Sequence, residues 1–155
     1  MRSPILTAAA RVLTPMILVA SLYLLYRGHN LPGGGFIGGL TAAGALLLHA
    51  FGCGAQESRM ALARPQRLMA WGLVLAGLSA VPGLLLQGTV FAGVWLPAFN
   101  LPVLGVVHLG TPLLFDIGVF LVVVGFVVDA ARSLDEDFTD ETSIGSVSAK
   151  DDPWS

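Results

Sequence analysis

Charge is scarce in this chain. Of its 155 residues only 12% are Asp, Glu, Lys or Arg, while 55% are hydrophobic. A soluble domain of this size carries about 25% charged residues. The apolar residues fall in long blocks, so the class is an integral membrane protein. Cysteine is nearly missing too. The single Cys53 excludes an internal disulfide and a multi-cysteine metal site, and it reads as a small buried apolar residue. There is no glycine–lysine phosphate loop, no His–Glu zinc pattern and no nucleophile elbow. Nothing therefore points to an enzyme, a cofactor or a metal. The formal charge of −2 says little about the whole, because most acids sit in the C-terminal tail. An acidic tail does not seek nucleic acid. The first apolar block is too long for a signal-peptide core and no small-residue cleavage site follows it, so it reads as a span.

What is present are four apolar stretches, each near the ~20 residues that a bilayer core demands of a helix. They are Ile5–Tyr26, Phe36–Cys53, Leu68–Gln87 and Leu109–Ala131. The expected fold is all-α, with four transmembrane helices in residues 1–132 and an acidic tail over 133–155. Arg59, Arg64 and Arg67 lie between spans two and three, Arg2 precedes span one and Arg132 follows span four. The positive-inside rule then puts both termini and the middle loop in the cytoplasm. Residues 88–108 are uncharged and apolar, but Pro97 and Pro102 would break a fifth span. They read as an interfacial or re-entrant loop at the outer surface, covered by protein. The tail is polar and acidic, has few large apolar residues, and reads as disordered.

The spans carry distinct faces. In span one Thr7, Arg11, Thr14 and Ser21 make a polar stripe. In span three Gly72, Ala76, Ser79 and Gly83 make a stripe of small residues, which lets helix backbones approach closely. In span four Gly118 and Gly125 share a face with Asp129. Asp116 lies about 200° around from Gly118, beside Leu113, Phe120 and Val123. Neither face suits lipid, so span four is expected between two protein surfaces.

Asp116 is the leading candidate for function. A charged carboxylate inside the hydrocarbon costs about 2.5–3.5 kcal/mol on insertion scales, and such residues mark ion paths or buried pairs. It is either a proton or cation site or a structural partner for another helix. His108 lies eight residues earlier, where it either relays protons to Asp116 or ties down the loop. His49 sits deep in span two, as a structural group or a second relay. Arg11 is near the cytoplasmic end of span one, where it either snorkels to the interface or pairs with a carboxylate of another subunit.

Residues 27–40 read Arg-Gly-His-Asn-Leu-Pro-Gly-Gly-Gly-Phe-Ile-Gly-Gly-Leu. A polar turn runs through Pro32 into Gly33, Gly34 and Gly35, and then into a helix that keeps Gly38 and Gly39. Such residues break helices in water but are tolerated at membrane helix ends against neighbouring protein. They read as a packing and partner-docking mouth. This segment resembles the signature of the B subunit of the Mrp (Mnh-type) multisubunit cation/proton antiporters. A second stretch agrees, from Leu101-Pro102-Val103-Leu104-Gly105 through His108-Leu109-Gly110-Thr111 to Leu114-Phe115-Asp116-Ile117-Gly118. The resemblance covers about residues 5–132 and implies a small accessory subunit in a prokaryotic inner membrane, surrounded by large antiporter-like subunits and other small ones. That complex exchanges internal Na⁺ for external protons and is related to the membrane arm of respiratory complex I. The chain has no intramembrane lysine, which fits a part outside the main proton chain. Asp116 matches an acidic family position. Val106 stands where the family often has a polar or acidic residue, which weakens the case for an outer half-channel. Two other readings are an equivalent subunit of a membrane-bound hydrogenase or redox-driven complex, and a purely structural assembly subunit.

Overall fold

A computed structural model of the chain describes residues 4–28, 33–54, 64–87, 99–101, 105–107 and 110–150. It is helical apart from one short hairpin. The helices are α1 (Pro4–Arg27), α2 (Gly35–Cys53), α3 (Pro65–Ser79), α4 (Val81–Gln87) and α5 (Thr111–Lys150). The hairpin pairs β1 (Phe99–Leu101) with β2 (Gly105–Val107) in antiparallel register, Asn100 opposite Val106. Four segments are long and apolar enough to cross a bilayer: Pro4–Arg27, Gly35–Cys53, Pro65–Leu85 and Thr111–Leu134.

Two departures from the sequence reading have simple causes. Span three is one apolar stretch but two helices, with the break at Ala80. Pro82 has no N–H to continue the ladder, and the Ala80 N–H turns back to the carbonyl of Gly77 at 3.2 Å. The backbone after span four stays helical to Lys150, where the composition predicts disorder. Extending an existing helix adds one bond per residue and avoids the costly nucleus. Of the loop expected over 88–108, the described part is the hairpin; the rest lies outside the described residues.

The helices form a row in the order α1, α2, α5, α3, with only slight contact between α1 and α5. The pairing follows from which faces are small. On α1 the stripe Thr7, Ala10, Thr14, Ser21 meets α2. Thr7 Oγ1 donates to the carbonyl of Gly52 at 2.7 Å and Thr14 Oγ1 to that of Ala45 at 3.4 Å. Ser21 is 1% exposed and returns its proton to its own helix at Leu18 O, 2.7 Å away. Arg11, placed on this stripe by spacing alone, falls to its side and is exposed.

Between α3 and α5 the glycines of both helices interlock. A Cβ on Gly118 would stand 2.7 Å from both Ala76 N and Gly72 O, and one on Gly125 would stand 2.7 Å from Met69 Cγ. Real Cβ atoms do not come that close, so the helices touch backbone to backbone, the packing mode that replaces the hydrophobic effect in lipid. At the far end of this seam Gln66 Nε2 donates to Asp129 Oδ1. The expectation that span four lies between two protein surfaces therefore holds, with α2 on one side and α3 on the other. Both surfaces belong to this same chain.

A direct test compares Gly118→Ala with Gly77→Ala. Gly77 has nothing within 4 Å of an added Cβ. There alanine gains helix propensity of about 0.8–1 kcal/mol. At Gly118 alanine collides with α3, at about 1–3 kcal/mol. Thermal unfolding of the purified subunit in detergent should show a lower midpoint for Gly118→Ala and an equal or higher one for Gly77→Ala.

Candidate functional site

The site is built where α1 ends, α2 begins and α5 passes. α1 stops at Arg27, and its last turn receives Gly28 N–H on Leu25 O at 3.3 Å. The chain returns so tightly that Gly34 N–H reaches Leu24 O at 3.1 Å. Gly34 has φ +100°, a conformation that L side chains rarely adopt, and it caps α2 with no side chain to offer. The first turn of α2 therefore starts without a hydroxyl or carboxylate of its own on its free N–H groups.

Asp116 of α5 lies against this turn. Its carboxylate oxygens are 3.4 and 3.6 Å from where a Gly34 Cβ would stand. One residue on, a Cβ at Gly35 would run into the backbone carbonyl of Asp116, so the two helices meet here with no space for a side chain. Gly39 continues the contact one turn deeper, 2.9 Å from Val123 Cβ and 3.0 Å from Phe120 O by the same measure. Gly38 faces the opposite way, onto α1, at 2.9 Å from Ser21 O. Gly33 packs on Leu24 O at 2.7 Å. Gly33, Gly35, Gly38 and Gly39, read as packing and partner-docking residues, thus meet α1 and α5 of this chain. Pro32 and His108 lie outside the described residues.

The electrostatics favour this arrangement. A helix N-terminus carries about +0.5 of an elementary charge and free backbone donors. A carboxylate placed there is stabilised by the helix itself. The arrangement can orient α2 on α5.

The other candidates are not gathered around Asp116. His49 lies 14 residues along α2 from Gly35, about 21 Å at 1.5 Å per residue. Its Nδ1 is buried and has no hydrogen-bond partner among the described residues. Arg11 points outward from α1 at the end of the molecule away from Asp116. Among the described residues no chain of ionisable groups links Asp116 to the opposite face, and no His, Cys, Asp or Glu cluster could hold a metal. One group was missed by sequence reasoning. Arg27 stands over the Tyr23 ring at 6.0 Å with Nε buried, at the same end as Asp116. Its place as the last residue before the glycine turn was the available signal.

Residues 5–129 match the family model described as a domain related to the MnhB subunit of Na⁺/H⁺ antiporter. The chain is 38% identical over 134 residues to the B subunit of the Na(+)/H(+) antiporter of Alkalihalophilus pseudofirmus, covering 86% of this chain and 92% of that protein. It is 37% identical to the subunit of the same name from Bacillus subtilis, covering 86% and 93%. Among solved structures it resembles a chain in the Mrp complex from Dietzia sp. DQ12-45-1b, with TM-score 0.65 and 31% identity. That match covers 79% of this chain and 13% of the Dietzia chain.

Proposed function

The chain belongs to the MnhB family, as a B subunit of a multisubunit Na⁺/H⁺ antiporter of a prokaryotic cell membrane, and from that premise we propose that its part is to supply a preformed four-helix layer on which the ion-carrying subunits assemble. The observation that carries this reading is the seat of Asp116. The carboxylate of Asp116 lies against the first turn of α2, where it serves to cap that helix from outside. Asp116 is then a latch between α5 and α2. The interlocked α3–α5 glycines and the hydroxyl contacts of α1 complete the layer. Such a part needs no proton relay, and the ~21 Å between the levels of Asp116 and His49 agrees with that. The expected readout is simple. The purified chain alone in liposomes moves no protons in response to Na⁺, whereas the complete complex does. Na⁺-driven proton movement by the chain alone would overturn the reading.

The proposed orientation puts both termini, the 54–64 loop and the helical extension after Leu134 in the cytoplasm, with the glycine turn, the hairpin and Asp116 at the outer end. The support is the positive-inside count and the packing. Gly52 of α2 meets Leu6 and Ala10 of α1, and Gly125 of α5 meets Pro65 and Met69 of α3. The start of α1, the end of α2, the start of α3 and the inner half of α5 therefore share one end. In a Cys53→Ala background, Arg64→Cys should react with a membrane-impermeant maleimide only in everted vesicles, and Asn30→Cys, in the glycine-turn segment, only in intact cells or spheroplasts. The reverse pattern would invert the orientation.

A further inference from the structure

Arg11 is not used by the packing described above. It lies seven residues into α1 and is exposed, and among the described residues it makes no hydrogen bond or ion pair. An exposed guanidinium within a membrane span needs an anion. Its depth can be read from the other end of the helix. Tyr23 and Tyr26 are 59% and 37% exposed, the amphipathic rings that mark an interface. About 30 Å of hydrocarbon at 1.5 Å per residue is about 20 residues. The opposite boundary then falls near Leu6, and the Arg11 Cα lies about 7–8 Å inside it. Helical side chains slant toward the N-terminus, which here is the direction of that boundary. An arginine stem snorkels that way and delivers its head to the phosphate layer.

The surface around Arg11 fits the rest of a lipid. On the same side of α1, Ala8, Pro15, Val19 and Leu22 are exposed and apolar. With the boundary near Leu6, one leaflet of about 15 Å ends near Met16, so Ala8 and Pro15 line the leaflet whose phosphate layer Arg11 reaches. α1 is also the end helix of the row, and its other face is already occupied by α2. We propose that Arg11 and the inner part of this apolar strip form a binding site for one anionic phospholipid, with the guanidinium on the phosphate and an acyl chain along Ala8 and Pro15. A carboxylate on a helix of another subunit is the competing occupant. It would have to sit at the headgroup level where the snorkelled guanidinium ends.

The test uses the whole complex, reconstituted in nanodiscs of equal phosphatidylglycerol and phosphatidylcholine and released into native mass spectrometry. Wild type should retain one phosphatidylglycerol more than Arg11→Gln. Arg11→Lys should retain it, because lysine snorkels to the same layer. Equal retention by wild type and Arg11→Gln overturns the proposal. So does loss of this subunit from the Arg11→Gln complex, which would put a neighbouring subunit's carboxylate on Arg11.

Discussion

Gly35→Leu is expected to remove this subunit from the antiporter complex. The Cβ of any residue at 35 runs into the backbone carbonyl of Asp116. A flexible side chain can step aside, but a helix backbone cannot, so α2 and α5 must part along their length. Overpacking costs about 1–3 kcal/mol even where neighbours relax, and here parting also undoes the contact of Gly39 with Val123 and Phe120. In lipid no hydrophobic effect restores the pair, because the tails are as apolar as the side chains. The check is a native gel of membrane extracts, with Gly44→Leu as the comparison. Gly44 lies on the same helix with nothing within 4 Å of an added Cβ. If both variants assemble to the same extent, the α2–α5 contact is not what holds the layer together.

The elements of this contact are partly visible in the sequence, and the reason for the rest is physical. The four spans can be read because bilayer thickness fixes their length. The two faces of α5 can be read because 3.6-residue periodicity separates Gly118 from Asp116. Which helix meets which face cannot be read, since small-xxx-small patterns on α2, α3 and α5 are mutually compatible. The sequence leaves the partner of Asp116 open to another subunit, yet α2 itself begins on Gly34 with no side chain to cap it. A helix that starts on glycine, with no Ser, Thr, Asp or Asn beside it, asks for an acceptor from elsewhere. Asp116, on a neighbouring span at the same depth, is the available answer. The break at Ala80 is also legible in Pro82. Spacing misplaces Arg11 because a separation of four from Thr7 is compatible with the edge of a stripe as well as with its centre; Ala10, not Arg11, fills the contact.

Asp116→Asn and Asp116→Leu should separate, and the separation decides what this residue is for. Asparagine keeps an acceptor oxygen of the same reach over the first turn of α2 and gives up only the charge. A charge at a helix N-terminus is worth about 0.3–1 kcal/mol, too little to disassemble a helix layer held by backbone contacts at Gly35, Gly39, Gly118 and Gly125. Leucine offers no acceptor, and it puts an apolar branch where donors at the helix start need one. Leaving a buried donor unsatisfied costs about 1–3 kcal/mol. The expected result is therefore a complex of normal size with Na⁺-dependent proton exchange within about fivefold of wild type for Asp116→Asn, since each 1.4 kcal/mol is worth tenfold. For Asp116→Leu the subunit should be missing or depleted, and exchange should fall with it. The measurement is exchange in everted vesicles beside a native gel of the same membranes. A full-sized Asp116→Asn complex with exchange below about a tenth of wild type would exclude the latch as the whole account, because a neutral isostere preserves the packing and removes only a titratable charge. In that event Asp116 lies on the ion path.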